Sequence, residues 1–308
     1  MILKYLNAKM VSNDQEYSLS ELVNTDIRAL IPTPIVEQVL CKEPFTAVPG
    51  VINIRDLGVY ASPFIGRGVA YRCGALGQVT DEGKTILTKD LGIKLILNLR
   101  SGTETSKDPE PDIESVKSLW LPCTQQPLPV DLNDFVGDDG KKGYLKMYGD
   151  VLDIYKPSFR AVLEHLRDDR GPVLFHCSGE TTPSSFIVNK VLTCQFWNLA
   201  GKDRTGILAA LLMGLAGCSH DTIAQDYALS RIGIEPHRET LLKIWLQWKK
   251  DWDMDTPGMV EFFAIKGSIM KTVMEMVDEK YGGMRGYVKH ELGFSNEEIE
   301  KIKANLKR

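Results

Sequence analysis

Cys177 follows the apolar run Val173-Leu174-Phe175 with only His176 between them. An apolar run of that length, introduced by Gly171-Pro172, reads as a buried strand. A cysteine at the end of such a strand, next to a helix start, sits where a thiolate is stabilised. Farther on, Ala200-Gly201-Lys202-Asp203-Arg204-Thr205-Gly206 leads into a stretch, Thr205 to Leu215, that is apolar nearly all round. That pattern predicts a buried helix ending at Gly217. Gly201, Lys202 and Arg204 at its start make an anion cradle of backbone N–H groups and cationic side chains. A thiolate beside an anion cradle suits nucleophilic displacement at an anionic centre. Taken alone, a cysteine on a strand is more often a small buried hydrophobe.

The elements around these residues must position them. Val51 to Ile54 and Gly68 to Arg72 read as short strands, and Asp81 to Asp90 as a helix capped by Asp81 after Thr80. Lys94 to Leu99 reads as a buried strand ending at a charged corner. Ser106 to Lys142 reads as loop around one strand, Ser118 to Leu121. Tyr144 to Asp168 has apolar residues at helical spacing, with Pro157 kinking or dividing it. Beyond Thr205 the chain reads as nearly all helix. Ser219 or Asp221 starts one helix, amphipathic stretches cover Pro236 to Lys250 and Met259 to Lys280, and Ser295 with Glu298 forms a capping box. Strands, then one strand–loop–helix, then helices predict an α/β fold. Residues 1–45 form a leader, with a short helix near Pro34 to Leu40, that packs on or near the domain of residues 46–308.

Composition narrows the classes. The chain has 308 residues, 43% hydrophobic and 25% charged, with a formal net charge of −4. These are values of an ordinary globular protein, without the bulk basicity that draws nucleic acid or anionic membranes. No run approaches the ~18 apolar residues of a membrane span. The six cysteines show no paired spacing and the five histidines no metal-ligand spacing. Without a signal-peptide pattern at the N-terminus, a cytoplasmic location is expected.

Joined across the residues between them, the two halves spell HCSAGKDRTG. This resembles the signature of the cysteine-dependent protein tyrosine phosphatase superfamily, cysteine, five residues, arginine. The GKDRTG ending is similar to its atypical tyrosine and lipid-phosphatase-like branch, found in fungi and bacteria. Three further phrases resemble that branch in the same order: Asn53-Ile54-Arg55-Asp56-Leu57-Gly58, Tyr71-Arg72-Cys73-Gly74-Ala75-Leu76 with cysteine where serine is usual, and Leu91-Gly92-Ile93-Lys94 with Leu99-Arg100 and Glu104.

The resemblance implies a mostly parallel twisted sheet flanked by helices, with a helix-rich C-terminal half. It also implies phosphomonoester hydrolysis through a phosphocysteine, on phosphotyrosine, phosphoserine/threonine or phosphoinositide, with no metal or other cofactor. Cys177 would be the nucleophile, its pKa lowered by the helix terminus and the loop amides. Arg204 would clamp two phosphoryl oxygens. Ser178, Ala200, Gly201, Lys202 and Thr205 would hold the phosphate, Lys202 adding charge suited to strongly anionic substrates. Asp203 is the first candidate for general acid, with Asp131 and Asp134 as alternatives. An Asp at position 203 could equally serve as a helix cap. His176, Arg55, Asp56 and Arg100 are expected to brace the pocket. Cys73 reads as a plain serine-to-cysteine exchange, and Trp245, Trp248 and Trp252 as a packing seam.

One departure from the family pattern is severe. Twenty-six residues, not five, separate Cys177 from Arg204, and removing residues 179–199 restores the signature. These 21 residues include nine apolar ones and little turn chemistry after Pro183 and the two serines that follow it. A true insertion pinched at its base is one explanation, since loop closure costs rise slowly with length. The other is translation of an unspliced intron. Gly179-Glu180 can be encoded GGT GAG, Leu199-Ala200 as CTA GCN and Leu192-Thr193 with CTAAC, matching intron start, end and branch point. The only cut that restores the motif coincides with these sites, which favours the intron. Either way, the chain as written is expected to be catalytically impaired. A binding module without turnover is the alternative function, and a rhodanese-like sulfurtransferase fits the cysteine–arginine spacing less well.

Overall fold

The computed structural model describes residues 17–125, 130–177, 201–246 and 253–308, except the side chains of Lys107 and of residues 243–246. Five strands form one sheet: β1 (Arg55–Asp56), β2 (Ala70–Cys73), β3 (Leu95–Asn98), β4 (Lys117–Trp120) and β5 (Val173–His176). The order is β1-β2-β5-β3-β4. β1 runs antiparallel to β2 and all other neighbours are parallel. Every residue of β3 and β5 is buried, whereas β4, at the edge, is largely exposed. Buried on both faces, the inner strands β3 and β5 are apolar up to their last residues, Asn98 and His176. Cys73, His176 and Asn98 lie in register across β2, β5 and β3. Cys177 therefore emerges from the middle of the carboxyl edge, where open α/β sheets bind their ligands.

The helices in chain order are α1 (Leu19–Val23), α2 (Thr33–Leu40), α3 (Leu57–Tyr60), α4 (Asp81–Thr85), α5 (Gly102–Lys107), α6 (Lys141–Ile154), α7 (Lys156–Arg167), α8 (Asp203–Ala216), α9 (His220–Gly233), α10 (Arg238–Leu246), α11 (Met259–Phe263), α12 (Gly267–Tyr281), α13 (Gly283–His290) and α14 (Asn296–Leu306). Pro157 does divide its helix: α6 ends at Ile154 and Pro157 sits in the first turn of α7, where its missing N–H costs nothing. α8 is buried almost throughout and closes on Gly217 at φ +107°. Ser219 caps α9 by accepting from Thr222 N, and Ser295 with Glu298 forms the capping box of α14.

Four sequence expectations need correction. Val51 to Ile54 is not a strand; Asn53 takes φ +54°, which breaks extended backbone, and pairing begins at Arg55. Thr80, not Asp81, caps α4, its hydroxyl accepting from Gly83 N at 3.1 Å, and Ile86–Asp90 continues it as a wider turn. Met259 to Lys280 is two helices, α11 and α12, parted at Ala264, whose carbonyl is drawn toward Tyr144. Ser106 to Lys142 also contains a helical turn at Leu132–Phe135. Trp248, Trp252 and the side chain of Trp245 lie outside the described residues.

Residues 17–45 are clamped to α9. Arg231 donates to the carbonyls of Thr25, Asp26 and Ala29 at 3.0, 3.2 and 2.7 Å. Glu235 accepts from Ile31 N at 2.8 Å. Ile31, Ile35, Val36 and Val39 pack with Leu229 and Ile232.

Candidate active site

Although 26 residues intervene in the sequence, Cys177 and the start of α8 lie against each other. Cys177 Sγ is 3.7 Å from Thr205 Oγ1, and the Cys177 carbonyl accepts from Arg204 Nη2 at 2.9 Å. Gly201 makes this closure possible. Its φ is +61°, and a Cβ built on it would fall 2.1 Å from the Cys73 carbonyl oxygen, so only glycine lets the backbone pass there.

Arg72 orients the backbone that follows. Its Nη2 donates to the carbonyls of Gly201 and Lys202 at 2.9 and 3.1 Å and to Thr205 Oγ1 at 3.1 Å. In a planar trans peptide C=O and N–H point opposite ways. Drawing the carbonyls of 201 and 202 toward Arg72 therefore turns the N–H groups of Lys202 and Asp203 away from it. Arg72 is itself fixed by Asp226 of α9 at 2.6 Å. Asp226 also takes Arg55 Nε at 2.8 Å, and Arg55 reaches Ser230 and the Asn53 side chain. Burial pushes the Asp226 carboxyl up, but Arg55 and Arg72 outweigh it and hold it below the usual carboxylate range. Burial in turn lowers Arg55 to about 10 despite Asp226.

Arg204 is held as a rigid fork. Nη1 and Nη2 meet Glu104 Oε2 and Oε1 at 2.9 and 2.8 Å, while Nη1 also reaches the Leu99 carbonyl at 2.7 Å and Tyr155 OH at 3.2 Å. Its Nε is buried without a hydrogen-bond partner among the described residues. Glu104 belongs to the capping box of α5, its Oε2 accepting from Ser101 N at 2.6 Å. One carboxylate thus closes a helix end and aims the guanidinium.

Asp203 and Lys202 turn inward. Asp203 Oδ1 accepts from Tyr148 OH at 2.5 Å, and Tyr148 OH lies 2.7 Å from Tyr227 OH. Asp203 Oδ2 is buried with no partner among the described residues. Lys202 Nζ is 3.2 Å from Asp203 Oδ1 and 5.3 Å from the centre of the Tyr144 ring. Burial lowers its pKa, opposed by Asp203. The Lys202 charge is therefore paired internally with Asp203, whereas the sequence reading has it add charge for strongly anionic substrates. Cys177 differs too: burial pushes its thiol up, and Arg204 and Thr205 oppose this without reversing it. Of the loop whose amides were expected to help lower it, Ser178, Ala200 and the stretch 179–199 lie outside the described residues.

The remaining candidates are dispersed. His176 Nε2 is 2.9 Å from Glu110 Oε1, and Glu110 also accepts from Arg100 at 2.8 Å and from Asn98 at 2.7 Å. Burial raises the Glu110 carboxyl, but His176 and Arg100 bring it below its ordinary value. Asp56 caps α3 through Gly58 N at 2.8 Å and accepts from Gly68 N at 2.8 Å. Asp131 accepts from Asn133 N at 3.0 Å, and Asp134 pairs with Lys142 and Lys146 at 2.6 and 2.9 Å, which lowers its pKa and favours the charged form. Cys73 is fully buried, and that burial raises its thiol well above the ordinary value. No acidic, cysteine and histidine cluster suited to a metal occurs among the described residues, and no described helix is long and apolar enough to cross a membrane.

Sequence reasoning assigned no role to Glu104, Asp226, Tyr148, Tyr155 or Glu110. Glu104 was legible in principle, because Ser101-Gly102-Thr103-Glu104 has capping-box spacing. Asp226, Tyr148 and Tyr155 act across 49 or more residues of chain, as does Glu110 toward His176, and there spacing carries no signal.

A family model described as the tyrosine phosphatase family matches residues 46–179 and 188–308. A tyrosine-protein phosphatase of Nostoc commune is 27% identical over 256 residues, 76% of this chain and 73% of its own length. The triple specificity protein phosphatase PtpB of Mycobacterium tuberculosis is 23% identical over 296 residues, 84% of this chain and 98% of its own.

Proposed function

The chain belongs to the tyrosine phosphatase family and is a phosphatase, and from that premise we propose that it hydrolyses phosphomonoesters through a phosphocysteine on Cys177, in a form impaired by residues 179–199. The observation that carries this reading is the meeting of Cys177 with Arg204 and Thr205 across the intervening residues. The Cys177 thiolate attacks phosphorus; an S–P bond forms as the P–O bond to the leaving group breaks. Asp203, from Oδ2, gives its proton to the leaving oxygen. Water then attacks phosphorus, its proton passes to the Asp203 carboxylate, and the S–P electron pair returns to sulfur as phosphate departs. Arg204 Nε–H and the N–H groups turned by Arg72 meet the charge that spreads over the equatorial oxygens. Phosphotyrosine is the first substrate to test. The triple specificity of the Mycobacterium relative supports a panel of more than one substrate class, so phosphoserine, phosphothreonine and phosphoinositides complete it.

Two observations support impairment. The family match breaks at 180–187, inside the stretch 179–199, and resumes from 188. The Cys177 thiol is also pushed up rather than down. The same facts favour, as a second reading, an anion-binding module without turnover. The deciding experiment compares hydrolysis of p-nitrophenyl phosphate by the full chain and by a chain lacking 179–199, with Cys177→Ser as control. The deletion is expected to raise turnover about a hundredfold, the effect of regaining one or two transition-state N–H donors. Equal turnover overturns the impairment. A folded deletion form that binds phosphate without turnover favours the binding module. Transcripts across the region test the intron: a major message retaining the 63 nucleotides would make the stretch a true insertion.

A further inference from the structure

Away from the residues that meet Cys177 and Arg204, a cavity of about 590 Å³ lies between α1, α9 and α12. That volume is within the ~300–1,000 Å³ of pockets that enclose small molecules. Leu19 and Val23 of α1 face Ala224 and Ala228 of α9, and Tyr60 adds its ring. The Tyr60 hydroxyl makes no hydrogen bond among the described residues, and neither do the side chains of Gln225 and Ser268 at the same cavity. Burial, reinforced by the Asp226 carboxylate, raises the Tyr60 phenol, so at neutral pH it remains a hydrogen-bond donor. The two charges in the lining, Lys271 and Asp221, pair with each other. The cavity therefore offers apolar walls, the half-buried Tyr60 hydroxyl as a hydrogen-bonding group and no uncompensated charge. We propose that this cavity is a binding site for an uncharged, largely apolar small molecule whose hydrogen-bonding group engages Tyr60.

A charged ligand fits less well, because it would have to compete with the Lys271–Asp221 pair. A protein partner fits less well too, since a stable interface needs an extended face of roughly 1,000 Å² or more, wider than this half-open hollow between three helices. The proposal does not depend on phosphatase turnover, so either can fail without the other.

The test is a fluorescence titration of the full chain with N-phenyl-1-naphthylamine, a neutral apolar probe with one N–H. Saturable binding at one site is expected. Ala228→Leu and Val23→Trp fill the cavity from different walls, and each should weaken the probe at least tenfold with the unfolding midpoint unchanged. Tyr60→Phe should weaken it about fivefold, the loss of one hydrogen bond. No saturable signal, or unchanged affinity in whichever filling variants fold, overturns the proposal. Tighter binding of the anionic 8-anilinonaphthalene-1-sulfonate overturns the assignment to uncharged ligands. Self-association abolished by Ala228→Leu, without probe saturation, would assign the cavity to a second copy of the chain. Saturation appearing only after removal of residues 2–16 would assign it to that segment.

Discussion

At the scale of single residues, the site depends on side chains with two jobs. Glu104 caps α5 and also holds Arg204. Replacing it with Ala would leave a buried guanidinium without its counter-charge, which costs about 3–5 kcal/mol; urea unfolding of Glu104→Ala should show a loss of that size. The Cys177 thiol gives a second prediction. Because burial holds its pKa above the ordinary thiol value, its alkylation by iodoacetamide should keep rising with pH beyond that value in the full chain. In the form lacking 179–199 the midpoint should move to lower pH, and an identical midpoint would count against a role for the loop amides. Cys177 and Arg204 were legible in the sequence because both lie in one local phrase once 179–199 is set aside. The inward turn of Lys202 was not legible, because Tyr144, which receives it, is 58 residues away in the chain.

Among the elements, the junction between β5 and α8 is where Cys177 and Arg204 meet, and its tolerance is narrow. Gly201→Ala would set a Cβ against the Cys73 carbonyl at a positive φ. Strain of about 1–3 kcal/mol is expected from the backbone alone, with a further cost as β2 and the junction separate. A thermal unfolding midpoint equal to wild type would show that the junction can relax. The strands β3 and β5 and the helix α8 were readable because buried elements are continuous apolar runs. The missed elements were short and set by single residues. Asn53 ends one expected strand through its positive φ, and Ala264 parts two helices whose apolar spacing runs on across the break.

Across the whole molecule, α9 joins the leader to the site. One part of it receives Ile31, Ile35 and Val36, and another supplies Asp226 and Tyr227 beneath the loop. Acid should expose this dependence. Asp226 has a depressed pKa in the folded state, so its contribution is complete above the unfolded value of about 3.9 and is lost as pH falls through the folded one. Unfolding measured from pH 6 downward should show this loss in the wild type, and Asp226→Asn, less stable at pH 6, should lack that share of it. The same cluster sets two guanidiniums, Arg55 and Arg72, against one carboxylate. The positive charge left over is enclosed by protein, where dissolved ions do not reach it. Surface lysines lose their pull on an anion beyond a Debye length of about 10 Å at 0.1 M salt. A phosphate bound to this loop would keep much of its attraction in concentrated salt, so its affinity should fall little as ionic strength rises.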